Sequence, residues 1–429
     1  MKEKTHPIPD YDLTCLAENV VFPADFSITG LNLNEMVIGA TGTGKTVSIS
    51  LPRGLHTYHS SIVIPIAKRK LKNQLIDVFK NRGYKTIDFD LSNPSECQYG
   101  YDPLAYCQTD EDIITFAKNV IGGQAKGDEN QKSYDPYWDN SAASVLAAVI
   151  LLFKINEQSG GKHASLKDIL RFFRQIELSG SSITTTNVDF LFDALDKIYP
   201  ASNVRYMWRV MTGVPAKTAS CIYSVANAAI AKTFSDNLLE LTEKEPIDIE
   251  ALGKEKTALF ITSSPTDLVA PSYLNLFYAD MFRILFETAE KNTDYRLKIP
   301  VHMICDDFAV SAKINDFDRY ISIFRAAGIS VTLLLQSLSQ LYEMYGSGAG
   351  TVILDNCDTV VFTGSMNYST QKYVSQQVNI PLHEVMSLPL EQFIVLRRGS
   401  EPVIARRYQV KDDPLYKEML ELNDGRDDL

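Results

Sequence analysis

Residues Gly39 to Thr46 read GATGTGKT, inside the longer run MVIGATGTGKTVSIS (Met36–Ser50). The pattern G-x-x-x-x-G-K-T cradles phosphate. Gly39, Gly42 and Gly44 free the backbone to aim N–H groups at phosphate oxygens. With Ala40, Thr41 and Thr43 between them, the candidate nucleotide-binding set is Gly39 through Thr46. Lys45 offers a point charge to the β- and γ-phosphates of ATP, and the Thr46 hydroxyl is placed to ligate Mg²⁺. A glycine-rich turn that binds nothing is the blander reading. The apolar Met36, Val37 and Ile38 before the loop and the helix-compatible run after it argue for phosphate binding.

Such a loop needs a metal-side acid at the end of a second apolar strand. VHMICDDFAV (Val301–Val310) offers Asp306 to hold Mg²⁺ through water and Asp307 to orient or deprotonate an attacking water. Many ring ATPases carry Glu at the second position. Asp is one methylene shorter, about 1.5 Å of reach. Two acids opening a surface loop remain the alternative. Gln336 follows an apolar strand beginning near Ile329, where its amide can sense the γ-phosphate from the neighbouring strand end. Arg325 can act within its own subunit, or across a subunit interface as a charge-stabilising finger. Chemistry alone leaves both open, because a glutamine often ends a strand and an arginine is usually solvated. His56 and His59 share a helix face, but with no third ligand nearby they read as a helix end rather than a metal site.

The elements that must position these residues follow two grammars. Glu35–Ile38, Ser61–Ile66 and Tyr84–Phe89 read as strands, with a helix near Leu71–Asn81. Strand, glycine loop, helix, strand is the order of a parallel α/β sheet. From Tyr106 to Ala231 the pattern turns helical, with Trp138, Ala142, Val145, Val149 and Leu152 at three- and four-residue spacing. Polar connectors at Gly122–Ser133, Gln158–His163 and Leu178–Asn187 punctuate it. Strands return at Thr257–Thr262, then an amphipathic helix with Leu274, Phe277, Tyr278, Met281, Phe282, Leu285 and Phe286 on one side. Val301–Cys305, Ser330–Leu335, Thr359–Phe362, Phe393–Leu396 and Val403–Tyr408 complete the strands. The expected organisation is a nucleotide-binding domain in two pieces, 1–105 and 236–429, split by an all-α insert at 106–235.

Composition is that of a globular protein, 45% hydrophobic and 22% charged in 429 residues. The net charge of −11 argues against a protein that coats DNA, though not against a ring that grips it with a few loops. Six cysteines without a C-x-x-C pair suggest buried thiols in a reducing compartment. MKEKTHPIPDYD has no apolar run behind it and reads as no signal peptide. The longest apolar stretch, Ser141–Phe153, has 13 residues and is expected to be a buried helix too short to span a bilayer. The acidic end NDGRDDL reads as a solvated tail.

Together these motifs resemble the TraG/TraD family of coupling ATPases of type IV secretion and conjugation, relatives of the FtsK-type DNA translocases. The resemblance covers most of the chain. It rests on GLNLNEMVIGATGTGKT (Gly30–Thr46), YGYDPLAY (Tyr99–Tyr106), YDPYWDNSAASVL (Tyr134–Leu146), CDDF (Cys305–Phe308), QSLSQLYEMYG (Gln336–Gly346), LDNCDTVVFTG (Leu354–Gly364) and MSLPLEQFIVLRRGSEPV (Met386–Val403). It implies a RecA-like nucleotide-binding domain with an inserted all-α domain. It also implies hexameric rings at the cytoplasmic face of the inner membrane, which recruit a relaxase–DNA complex and drive single-stranded DNA or protein into the secretion channel. On matching positions, Lys45 and Thr46 become the nucleotide and Mg²⁺ residues, Asp306 and Asp307 the second acidic motif, and Gln336 and Arg325 the sensor and the arginine. The sequence departs from the family in three places. It shows no transmembrane helices at its start, and the expectation is a piece cut from a longer chain, a naturally soluble form, or anchoring through a partner. IPIAKRK (Ile64–Lys70) stands where a D-x-K-G-E-like turn is common, and Asp307 replaces Glu. A nucleotide-driven translocase is the first expectation. A nucleotide-gated docking platform with little hydrolysis is the second. A small-molecule kinase fits poorly, because Asp306 lies so far along the chain from the loop.

Overall fold

The computed structural model describes residues 9–67, 69–122, 135–264, 266–308 and 313–423. The N-terminal octet, most of the Gly122–Ser133 connector and the end of the acidic tail lie outside these residues. So do Lys68 of IPIAKRK, Tyr134, and the last two residues of VHMICDDFAV.

The chain forms two compact units. One comprises Met1–Ser92, Asp248–Pro265 and Met281–Leu429, the other Asn93–Ile247 and Thr266–Asp280. A nine-stranded sheet carries the first unit. In chain order its strands are β1 (Glu35–Ile38), β2 (Ser61–Ile66), β3 (Lys85–Asp90), β4 (Thr257–Thr262), β5 (Val301–Cys305), β6 (Ile329–Leu335), β7 (Thr359–Phe362), β8 (Gln392–Arg397) and β9 (Val403–Arg406). Across the sheet the order is β9-β8-β7-β1-β6-β5-β2-β4-β3. From β7 to β3 every pairing is parallel. β8 runs antiparallel to β7, and β9 antiparallel to β8. Two reversals therefore point β9 the same way as the parallel strands. β1, β2, β4 and β6 are buried at every position, as strands covered on both faces must be. The expected strand positions match to within about two residues, the pattern at Tyr84–Phe89 falling at Lys85–Asp90.

The second unit takes in residues on both sides of the 106–235 insert expected from the helical periodicity. Tyr99–Gly100 pairs in parallel with Glu245–Pro246, and the Tyr106 hydroxyl donates to the Ile247 carbonyl. Tyr101 donates to Asp280, and Tyr273 donates to the Tyr101 carbonyl. Aromatic packing among Tyr101, Tyr273 and Phe277 thus binds the flanks of the insert to the first half of helix Ala270–Glu290. The centre of this unit is helix Tyr137–Gln158, with 22 residues rather than the 13 of the apolar run. By length and composition it is long and apolar enough to cross a membrane, but 61% of its apolar window is buried inside the protein. Ala142, Val145, Leu146, Val149 and Ile150 are fully enclosed, as in a core helix.

Candidate functional site

The loop Gly39–Lys45 opens at the C-terminal end of β1, between two strand ends. Gly39 N donates to Leu335 O at the end of β6 (3.0 Å), and Ala40 N donates to Gly364 O beyond β7 (2.7 Å). Gly42 and Gly44 have φ of 85° and 86°, a left-handed backbone that glycine adopts without strain. Gly39 is required for space instead: a Cβ there would stand 1.8 Å from Thr363 Oγ1 and 2.9 Å from Thr43 Oγ1. Those two hydroxyls lie 2.7 Å apart. Thr363 is a loop-bracing residue that sequence reasoning missed. Its only signal is the Thr-Gly pair directly after an apolar strand.

Lys45 Nζ donates to the carbonyls of Gly39 (2.6 Å) and Ala40 (3.0 Å). The side chain is thereby folded back over the loop, with a third proton left for a ligand. Burial pushes its amine below the usual lysine range, while the charges of Asp307 and Asp306 act in the opposite direction. The helix after the loop begins as a wide π turn, Thr46–Ser50, in which Leu51 N reaches back to Thr46 O. Pro52, which lacks a donor, follows directly, and the helix continues in α geometry through Leu55.

This turn presents two hydroxyls to one carboxylate. Thr46 Oγ1 donates to both oxygens of Asp306 (3.0 Å each), and Ser50 Oγ donates to Oδ1 (2.8 Å). Ser50, four residues on from Thr46 and so on the same helix face, was not among the sequence candidates. Burial raises the Asp306 carboxyl above its ordinary range. The Ser50 and Thr46 hydroxyls lower it in part, Asp307 raises it again and Lys45 lowers it. A buried carboxylate gains from a cation beside it. Asp307, the next residue, has φ of 58°. The Leu335–Ile38 pairing at the end of β6 sets exposed Gln336 beside Gly39.

Arg325 is elsewhere. It lies in the last turn of helix Phe317–Ala327, exposed, just before β6 begins at Ile329. The seven residues of β6 separate that end of the sheet from the loop, roughly 20 Å at about 3.3 Å per residue. The structure therefore brings Gly39–Thr46, Asp306, Asp307 and Gln336 to one sheet edge and leaves Arg325 at the opposite one. Of the IPIAKRK turn, Arg69 makes an ion pair with Asp90 (2.8 Å) at the end of β3. The two histidines do not act together: His56 caps a helix end on Asp413, and His59 meets the Pro9 carbonyl. No cluster of three metal-ligating side chains occurs among the described residues.

The segments that carry the family resemblance are bonded to one another. Asn32 and Asn34 donate through Nδ2 to Asn356 O (2.7 and 2.9 Å), and Asp358 accepts from Asn32 N (2.7 Å). A family model for type IV secretory system conjugative DNA transfer matches residues 20–379. The chain belongs to that family. Among curated members of related name, the type IV secretion system-coupling protein VirD4 of Bartonella henselae is 20% identical, over 90% of this chain and 58% of its own length. The conjugal transfer protein TraG of Rhizobium radiobacter is 21% identical, over 86% of this chain and 60% of its own. The chain thus spans less than two thirds of the length of these relatives. The plasmid coupling protein TrwB, solved with ADP and Mg²⁺, superposes with a TM-score of 0.65 at 15% identity, covering 93% of this chain and 89% of that one. The likeness to TrwB makes the fold a RecA-like P-loop α/β domain with a largely helical second unit.

Proposed function

We propose that this chain is the ATP-hydrolysing core of a conjugative coupling protein. In this reading it links a relaxase–DNA or protein substrate to the channel of a type IV secretion system and drives its translocation. It would act as a homo-hexamer at the inner face of the bacterial plasma membrane, held there by an anchor of its own or by a partner. Membership of the conjugative DNA transfer family supports the reading. The observation that carries the chemistry is the contact of Thr46 with Asp306, 260 residues apart, at the mouth of the loop.

The residues fit ATP with Mg²⁺. Thr46 would supply a hard oxygen ligand of the kind Mg²⁺ takes, Asp306 would hold the ion through water, and the other positions would fall to water and phosphate. TrwB, of the same fold, was solved with ADP and Mg²⁺. When bound, the ion would neutralise charge on the β- and γ-phosphates. The loop amides and Lys45 would hold those phosphates. Asp307 would accept the proton of a water attacking the γ-phosphorus as the bond to the β-bridging oxygen breaks, giving ADP, phosphate and a proton. Gln336 would orient that water or report the γ-phosphate.

The short Asp307 side chain favours the second reading, a platform that binds nucleotide and hydrolyses little. Phosphate release with and without single-stranded DNA, over a range of protein concentration, separates the two. The expected result is Mg²⁺-dependent turnover that DNA and assembly stimulate and that Lys45→Ala abolishes. Background turnover in every condition, with ATP still bound, would establish the platform. Absence of nucleotide binding would overturn both readings.

A further inference from the structure

The segment after β9 lies beside the phosphate loop. A Cβ at Gly44 would meet Arg407 Nη1 at 3.5 Å, so the guanidinium stands next to the loop backbone two residues before Thr46. Topology brings it there. The β7–β8–β9 reversals return the chain to the same sheet edge as the loop, and Arg407 is the first residue beyond β9. Its position is fixed on both sides. Before it, Arg406 O accepts from Glu18 N (2.8 Å); its own N donates to Glu391 O (2.8 Å). After it, the Tyr408 hydroxyl and His56 Nε2 both bind Asp413 Oδ2 at 2.7 Å. His56 directly follows the helix that the loop starts. The strap 407–413 thus runs from the beginning of that helix to its end. The guanidinium also touches Glu391 (3.3 Å), an ion pair about a third to two thirds exposed and therefore weak.

We propose that Arg407 is a nucleotide-binding residue that reads the end of the ligand remote from the γ-phosphate. Asp306, and with it the metal side, reaches the loop from β5. Arg407 reaches it from β9, on the other flank of β1. A ligand lying along the loop with its γ-phosphate at Asp306 presents its α-phosphate and sugar to the Arg407 flank. A forked, permanently charged donor there matches phosphate oxygens. The inference rests on the loop binding a nucleoside di- or triphosphate.

Titration of the whole chain with ADP and with ATP, in Mg²⁺, tests it. Lys45→Ala serves as the loop control, and melting temperature reports folding. Arg407→Ala should weaken ADP and ATP alike, about tenfold, as expected for a lost charge-assisted hydrogen bond. Parent affinity for both nucleotides in Arg407→Ala overturns the proposal while leaving the functional reading intact. A loss confined to ATP also overturns it, since that marks a group contacting the γ-phosphate. If Arg407→Ala does not fold, Arg407→Lys decides: a loss of threefold or more on both nucleotides supports the role, and parent affinity ends it. A parent chain that binds neither nucleotide removes the functional reading and this inference together.

Discussion

Asp307 holds a left-handed backbone, φ 58°, which Asp and Asn adopt more readily than Glu. That gives a structural reason for the short acid where many ring ATPases carry Glu. Asp307→Asn should melt within about 0.5 kcal/mol of the parent, because asparagine keeps the conformation, while turnover falls to background and ADP still binds. Asp307→Glu should lose up to about 1 kcal/mol of stability and retain or raise the rate of phosphate release. A large loss of turnover in that variant would show that the active geometry is built around the shorter reach. Asp306 makes the opposite kind of prediction. Burial raises its carboxyl, so folding at neutral pH proceeds against the charge. Asp306→Asn should melt at or above the parent while losing Mg²⁺-dependent nucleotide binding. A clear drop in melting temperature would mean that the Thr46 and Ser50 bonds outweigh desolvation. At this scale the sequence was legible where a residue's role is local. Lys45 and Thr46 follow from a contiguous pattern. Thr363 and Arg407 do not, because only the pairing of β7 and the return of β9 bring them to the loop.

Among elements, β5 was legible as an apolar strand leading to Asp306, but its buried polar content was not. His302 lies inside the sheet, bonded through Nδ1 to Ser330 Oγ (2.7 Å) and through Nε2 to Thr332 Oγ1 (2.9 Å). Thr332 in turn donates to Glu35 Oε2 (2.7 Å), and Thr14 donates to Oε1 (2.6 Å). Since Thr332 spends its proton on the carboxylate, it accepts from His302 Nε2–H, and Nδ1 accepts from Ser330. Burial, and secondly the charge of Arg53, hold His302 well below its usual pKa, so the ring is neutral. Glu35→Ala would strand two buried hydroxyls and should cost about 2–3 kcal/mol in denaturant unfolding. The C-terminal strap titrates in the opposite sense from a buried neutral ring. Burial opposes charge on His56, but its partner Asp413 prevails, with Cys15 assisting, and the pKa is pushed up to about 9. A base whose folded pKa is raised contributes stability that is complete below its unfolded value. Here that contribution is lost between about 6.5 and about 9, at ~1.4 kcal/mol per pH unit. His56→Gln should flatten the stability profile across that window. An unchanged slope would exclude the pair as its source.

The whole molecule places Arg325 and the phosphate loop at opposite edges of one sheet. A role in the chain's own site is excluded by roughly 20 Å; we propose that Arg325 acts on a neighbouring copy, the alternative being a solvated surface arginine. Arg325→Ala subunits mixed with parent subunits should lower turnover more steeply than their fraction. Strict proportionality would remove the arginine from the mechanism. The division of the chain into an α/β unit and a helical unit was legible from the change of periodicity near Tyr106. Its edges were not, because Tyr99–Tyr106 and the start of helix Ala270–Glu290 join the helical unit through aromatic contacts that leave no periodic trace.

The packing of Gly39 against Thr363 also bears on inheritance. With 1.8 Å between a Cβ at one position and the hydroxyl of the other, the two sites share a single allotment of space. Across lineages, a side chain at 39 should be tolerated only with glycine at 363 and a displaced or smaller residue at 43, because a Cβ there also meets Thr43 Oγ1 at 2.9 Å and Thr363 Cβ at 3.1 Å. The first residue of the loop and a residue 324 positions later should therefore drift as a pair, so that homologues exchanging their C-terminal halves would inherit a mismatch at this contact wherever the pair has changed.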